Sequence, residues 1–489
     1  MDYRDLDTEL RRRRKEILVR IVGAFDRGDF STAIGEEAKN IAAEWGARCE
    51  KSENIGAEVN ERIAAALGFS MAADTNDISA LAASALKRSE PEEYPLTVLE
   101  STCNRCPAIH YAVTGLCRSC TAKYCQAACR FGAISMVDGA SKIDSSKCKK
   151  CDQCRRSCPY GAIVKATVPC ESQCPVDAIK KDETGRSRID FDRCISCGRC
   201  SVACPFGAIV SKSQIVDVLR AMASRETIAL YAPSWIGQYD ATAGKLRSAL
   251  EKAGFSGSCE VALGAEVTAI EEADDFRSHL AGGKPFMTTS CCAAYNEFRD
   301  KHLVEINPYA SKTKTPLYYT AEILRKKHPN AALVFLSPCF AKYREVRRNP
   351  NVDFALNFEE VDALFAARSV SPESCDAMAF DKNSAKEARE FGLSNGVARS
   401  VVCAWKGDSS DVKPVVINGL NKESIGQLRS YAREGKCSDG NLVEVMACEG
   451  GCIGGPATIC SLRKAQQRVS SHASEGQSIG EVKNPFADD

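Results

Sequence analysis

The chain has almost no net charge, no long apolar run and, over its first hundred residues, only one cysteine. Its 65 basic and 64 acidic residues leave a net charge of +1, so nothing in the balance points to nucleic acid or to an anionic membrane surface. No apolar stretch approaches the roughly 18 residues of a membrane span. The start, "MDYRDLDTELRRRRKEILVRIVGAF", is rich in charge and lacks the long uncharged core of a signal peptide. These absences read as a soluble cytoplasmic protein with no nucleic-acid or membrane partner. At 489 residues the chain is too long for one hydrophobic core and suits roughly two to four domains.

Against that background stand 27 cysteines, 16 of them between Cys103 and Cys204. In a long intracellular chain such usage means metal or redox chemistry more often than disulfides. Residues 1–100 contain only Cys49 and read as helices: Leu10, Ile17, Leu18, Ile21, Val22 and Phe25 share one helical face. Ser31 is the expected cap of a second helix, and helical stretches follow near 57–70 and 77–88. The "RRRR" run reads as a solvated helix face, with a docking patch for an acidic partner as the alternative.

Residues 101–212 contain an internal repeat, whose units close on "ACRFGAI", "SCPYGAI", "QCPVDAI" and "ACPFGAI". Cys148, Cys151, Cys154 and Cys158 follow C-x2-C-x2-C-x3-C-P, as do Cys194, Cys197, Cys200 and Cys204. That is the bacterial ferredoxin run for a [4Fe–4S] cluster, whose fourth cysteine reaches over to a partner cluster. Zinc prefers two separated C-x2-C knuckles and suits these triple runs poorly. A variant run supplies Cys117, Cys120, Cys125 and Cys129, and the remaining Cys103, Cys106, Cys170 and Cys174 make one half-motif split by the unit inserted between them. The expected pairing is nested. Cys117, Cys120, Cys125 and Cys158 hold one cluster, and Cys148, Cys151, Cys154 and Cys129 its partner. Outside them, Cys103, Cys106, Cys170 and Cys204 hold a third, and Cys194, Cys197, Cys200 and Cys174 a fourth. Such a row carries single electrons between surface and interior.

Residues 225–464 alternate short apolar strands, "TIALYA", "PFMTT", "ALVFLSP", "PVVING" and "LVEVMA", with helical stretches. That alternation predicts α/β lobes with parallel sheets, and binding loops at the carboxyl ends of the strands. "TSCC", "SPC" and "EVMACEGGC" all sit there. Cys292, Cys339, Cys448 and Cys452 supply four thiolates from three strand ends, enough for one more cubane, and the glycines of "EGGCIGG" let backbone approach it closely. Cys49, Cys259, Cys375, Cys403, Cys437 and Cys460 lack any motif and read as small buried hydrophobes. From 465 to 489 the chain reads as a polar, poorly ordered tail.

"TSCC…SPCFAKYRE…EVMACEGGC" resembles, in order, the three signature segments of the [FeFe] hydrogenases, and "TSCCAAY" is similar to their group B branch. The resemblance implies a multidomain fold: a helical N-terminal region, ferredoxin-like α+β [4Fe–4S] domains, and a two-lobed α/β domain holding the H-cluster. It implies reversible reduction of protons to H2, a soluble ferredoxin or similar electron carrier, and maturation proteins that build the H-cluster. By the same resemblance Cys292, Cys339, Cys448 and Cys452 hold its [4Fe–4S] part. Cys452 bridges to a two-iron subsite carrying carbonyl, cyanide and dithiolate, whose ligands neighbouring residues must hold. Cys291 matches the proton-donating cysteine, Lys342 the lysine that bonds a cyanide, and Pro233, Ser234 and Met446 pocket positions. Glu272, Asp275 and Ser311 fall near the proton-relay positions.

Some positions depart from the commoner pattern: Ser337 stands where a methionine usually packs on the subsite, Leu317 where a glutamine is usual, and "GGPATI" replaces "GGGQP". A hydrogen sensor and a non-catalytic iron–sulfur assembly protein are the alternatives within this fold. The paired cysteines discriminate against the second.

Overall fold

The computed structural model describes residues 7–48, 54–70, 77–104, 106, 110–379 and 384–479. Cys49 and residues 480–489 lie outside them.

Four helices open the chain: α1 Glu9–Arg27, α2 Phe30–Arg48, α3 Ile55–Ala66 and α4 Ile78–Lys87. Thr8 caps α1 through its hydroxyl, and Gly28 closes it in the left-handed conformation. Ile17, Leu18, Ile21 and Val22 are buried against the core; each such side chain contributes about 1.5–3 kcal/mol. Ser31 does not cap α2, which already begins at Phe30. Phe30 is pulled in by edge-on packing against Phe25, 5.8 Å between ring centres. The arginine run is not a solvated face either. Arg11 donates to the Ile459 carbonyl at 3.0 Å, Arg13 lies over the Trp45 ring, and Arg14 pairs with Glu359 at 3.6 Å. Only Arg12 points outward, with 59% of its side chain exposed. The partners lie on other elements, so the run fastens α1 to the body of the molecule.

The cysteine-rich region is nested in the way the split half-motif demands. Strand β1 (Leu96–Val98) pairs antiparallel with the last strand of the region, β8 (Ile209–Ser211). Inside that pair, β2 (His110–Val113) pairs with β5 (Ile163–Ala166) and encloses the hairpin β3 (Ile134–Val137)–β4 (Ala140–Ile143). A second hairpin, β6 (Ile179–Lys181)–β7 (Ser187–Ile189), repeats the first. Two ferredoxin-type units result, an inner one inserted into an outer one.

Beyond residue 225 the chain forms two parallel sheets. One has the order β10 (Gly257–Glu260), β9 (Thr227–Tyr231), β12 (Ala332–Ser337), β13 (Phe354–Asn357). The other runs β11 (Met287–Thr288), β15 (Leu442–Met446), β14 (Pro414–Asn418). β9, β12 and β15 are buried along their whole length, as strands covered on both faces must be. The five strands expected from the apolar runs are present; β10 and β13 are additional.

The expected polar tail does not begin at 465, because Leu462–Ala473 is a helix. Ala465, Val469 and Ala473 recur at helical spacing and are buried, and the helix packs against the 3-10 turn Pro233–Gln238. Among the described residues no helix is long and apolar enough to cross a membrane.

Candidate metal centre and electron relay

The carboxyl ends of both sheets open onto one cavity of about 800 Å³, lined by Cys291, Cys292, Cys339, Cys448 and Cys452. Cys292 follows β11 and forms the N-cap of the helix Ala293–His302; Cys339 follows β12, and Cys448 follows β15. Backbone crowding explains the glycines there: a Cβ on Gly451 would stand 2.7 Å from the Leu393 carbonyl carbon, and one on Gly455 2.4 Å from the Pro338 oxygen. Burial, with the other cysteines adding, pushes the Cys339 and Cys452 thiols up to about 12 and Cys448 well above its ordinary value. Thiols so placed lose their protons only to a strong cation. Among the described residues no three His, Cys, Asp or Glu side chains gather as a single-ion site requires. These thiols face a shared space instead. The hydroxyl of Ser234 is buried beside the cavity wall without a hydrogen-bond partner among the described residues. A polynuclear cluster with polar ligands fits this donor set.

Cys291 points away from its neighbour. Its side chain packs with Ala262, Ala265, Ala269, Phe391 and Met446. Burial first, then Glu272 and Cys292, raise its thiol well above the ordinary value. Glu272, on the helix Ala262–Ala281, accepts the Ser290 N–H at 3.2 Å. Burial lifts its carboxyl to about 8, against the pull of Ser290 and Ser311. Ser311 in turn donates to Asp275 at 3.1 Å, and Asp275 reaches solvent with 21% of its side chain exposed. Cys291, Glu272, Ser311 and Asp275 therefore stand in a row from cavity to surface.

Lys342 lines the cavity and donates to the Cys291 carbonyl at 3.3 Å and to Glu345 at 2.6 Å. Burial pulls its ammonium down, but Glu345 outweighs it and the net shift is upward. Pro233, Met446 and Leu317 line the same cavity. Ser337 does not spend its hydroxyl there: it donates to the Cys339 carbonyl at 2.8 Å and accepts the Cys339 N–H at 3.1 Å, closing its own turn. Two carboxylates escaped the sequence reading. Glu345 is the ion partner of Lys342. Glu444, buried mid-strand in β15, accepts the N–H groups of Asn395 and Ala398 at 2.7 and 2.8 Å, and burial lifts it to about 7. A lone acid inside "LVEVMA" was the available signal.

The relay cysteines gather in groups. Cys103, Cys106, Cys170 and Cys204 line one small cavity. Burial raises Cys154, with Cys148, Cys129 and Cys151 adding. Burial likewise raises Cys200, with Cys197, Cys194, Cys174 and Cys170 adding. Cys117 and Cys125 meet at Ser141, whose hydroxyl is 3.4 Å from the Cys125 sulfur. Nearest the large cavity, Cys197 contributes to the shift of Cys448. Of the motif-free cysteines, Cys375 and Cys460 are buried and Cys259 and Cys437 half-buried, but Cys403 is exposed on the last turn of the helix Gly396–Ala404 and departs from the buried expectation.

Residues 225–456 match the iron only hydrogenase large subunit, C-terminal domain, and residues 141–164 and 187–210 match the 4Fe-4S binding domain. The chain belongs to the [FeFe] hydrogenases, with a ferredoxin-like region ahead of the H-cluster domain. It is 26% identical over 388 residues to the periplasmic [Fe] hydrogenase large subunit of Nitratidesulfovibrio vulgaris, covering 68% of this chain and 90% of that one. It is 28% identical over 261 residues to the NADP-reducing hydrogenase subunit HndD of Solidesulfovibrio fructosivorans, and 26% over 258 residues to iron hydrogenase 1 of Clostridium pasteurianum. Each of these two matches covers 43% of this chain, so the chain spans about half, 45%, of the length of these two relatives. Among solved structures, the [FeFe]-hydrogenase HydA1 from Chlamydomonas reinhardtii aligns with a TM-score of 0.44 at 17% identity, over 56% of this chain and 92% of that one. The cofactors of such a protein are an H-cluster and [4Fe–4S] clusters.

Proposed function

We propose that the chain catalyses 2H⁺ + 2e⁻ ⇌ H2, taking electrons from a soluble ferredoxin or similar carrier and resident in the cytoplasm, as its cysteine usage suggests. The observation that carries this reading is the division of the adjacent pair: Cys292 faces three other cavity cysteines, while Cys291 turns toward Glu272. Cys292, Cys339, Cys448 and Cys452 would hold the H-cluster's [4Fe–4S] part, and Cys452 would join the two-iron subsite that maturation proteins install. When bound, that cofactor supplies the iron redox chemistry of the reaction. The chain supplies the rest. Pro233, Ser234, Met446 and Lys342 would fix the subsite's small ligands, with the Lys342 ammonium held in place by Glu345.

Protons would move along Asp275, Ser311 and Glu272 to the Cys291 sulfur. A carboxyl lifted to about 8 is mostly protonated at neutral pH, so it can hand on a proton without first being charged in a dry interior. Four relay clusters would bring electrons, one at a time, past Cys197 to the cavity.

Infrared spectroscopy of matured protein tests the cofactor: metal-bound carbonyl and cyanide bands are expected, with about 22 irons per chain. Cys291→Ala tests the donor. Loss of a positioned proton donor costs about 10²–10⁴ in rate, so near-normal hydrogen evolution by that variant would sink the reading of the pair.

A further inference from the structure

The two ferredoxin-type hairpins are superimposable in register, and they differ at one position that faces a cluster site. In the inner unit β3 and β4 place Met136 opposite Ser141. In the outer unit β6 and β7 place Lys181 opposite Ser187. The serines do the same work: the Ser141 hydroxyl lies 3.4 Å from the Cys125 sulfur, and the Ser187 hydroxyl 3.4 Å from the Cys170 sulfur. The residue across the hairpin differs in charge. Met136 offers a thioether, 3.4 Å from the Ser141 hydroxyl. Lys181 aims its ammonium at the Cys103 sulfur, 3.9 Å away, and lines the cavity shared by Cys103, Cys106, Cys170 and Cys204. The Ser187 N–H donates to the same Cys103 sulfur at 3.4 Å. Among the described residues no carboxylate is within ion-pair reach of Lys181, so its charge faces the thiolates undiluted.

Reducing a cysteine-ligated cluster adds one negative charge and releases no proton. A fixed cation and hydrogen-bond donors at the ligand sulfurs stabilise the reduced form more than the oxidised one, which raises the reduction potential. We propose that Lys181 sets the Cys103/Cys106/Cys170/Cys204 cluster at a higher potential than its Met136 counterpart at Cys117/Cys120/Cys125/Cys158, so that the relay stores one electron there. The proposal rests on the ligand grouping given above. The stored electron has a use. The reaction consumes two electrons, whereas a ferredoxin-type carrier delivers one per visit. An electron held at this cluster waits one step from the Cys174/Cys194/Cys197/Cys200 group, because Cys170 neighbours Cys200, and that group abuts the cavity through Cys197. Lys181 is a positioning residue for charge; it touches no reactant.

The test is an EPR-monitored redox titration of the full chain carrying its clusters. Lys181→Met copies the inner unit and should move the midpoint of one cluster signal to a more negative potential, leaving the others in place. Met136→Lys should move a different signal to a more positive potential, and Lys181→Arg should keep the wild-type midpoint. Unchanged midpoints in Lys181→Met, at full iron content, overturn the proposal while leaving the ligand grouping intact. Loss of about four irons in that variant also overturns it, since Lys181 would then hold the cluster rather than tune it. A wild-type relay with fewer than four clusters overturns the grouping itself.

Discussion

The inner and outer ferredoxin-type units share a skeleton and differ in what surrounds them. Asp152 and Gly198 occupy the same place in the two cysteine runs, both left-handed, with φ of 68° and 74°. Gly161 and Gly207 likewise both have φ of 60°. The inner unit keeps these points open: nothing lies within 4 Å of a Cβ built on Gly161, and Leu116, Tyr124, Phe131 and Tyr160 are exposed. In the outer unit the same points are interfaces. A Cβ on Gly198 would stand 2.5 Å from the Phe340 ring and 2.8 Å from Pro456, and one on Gly207 2.3 Å from Leu10. Phe340 follows Cys339 and Pro456 follows Gly455, so the outer unit is pressed against the loops that carry the cavity ligands. The glycine at 198 therefore answers to space rather than to backbone conformation, since aspartate tolerates the same φ in the inner unit.

Exchanging these two residues breaks the comparison hardest. Gly198→Asp drives a side chain into Phe340 and Pro456, and overpacking of this kind costs about 1–3 kcal/mol or more. A large fall in melting temperature and loss of dye-driven hydrogen evolution are expected. Asp152→Gly forfeits only exposed pairs with Arg155 and Arg156, which are worth roughly 0–1 kcal/mol. Equal melting temperatures for the two variants would show that position 198 is not an interface.

A smaller effect is expected at Arg62, which ties the outer unit to the N-terminal helices. Its guanidinium is buried and donates to the carbonyls of Gly207 and Phe206, each at 3.2 Å. Arg62→Met strands those carbonyls and removes the pair with Glu58, at a cost of about 1–3 kcal/mol. Thermal unfolding should register the loss, and limited proteolysis should open the outer unit before the inner one. Cleavage in the opposite order would contradict the view that the helices hold the outer unit.

Sequence pattern reached unevenly into these two units and the cavity beyond them. The repeats, the nesting and the parallel strands were legible because thiol spacing and wholly apolar runs are local. The adjacent cysteines were legible for the same reason. Partners distant in the chain were not. The arginine run looked solvated because Ile459 and Glu359 lie hundreds of residues away. Glu444 looked like an ordinary strand residue because the helix start it anchors, at Asn395, is found only in three dimensions. Lys181 looked like one of many basic residues until hairpin register set it against Met136. The helix Leu462–Ala473 was a misreading rather than a hidden partner, since Ala465, Val469 and Ala473 already carried the helical period.

The smallest expected effect sharpens the comparison from the side of likeness. Ser141 and Ser187 are both buried, and each places its hydroxyl 3.4 Å from a cysteine sulfur. Each contact is worth about 0.5–1.5 kcal/mol, so Ser141→Ala and Ser187→Ala should each speed iron release to a chelator by up to about tenfold. The factors should be equal, because the two serines sit at matching register with matching geometry while the charged and packed surroundings stay as they were. If Ser187→Ala released iron much faster than its counterpart, the serines would not be equivalent. The contrast between Met136 and Lys181 would then lose its internal control.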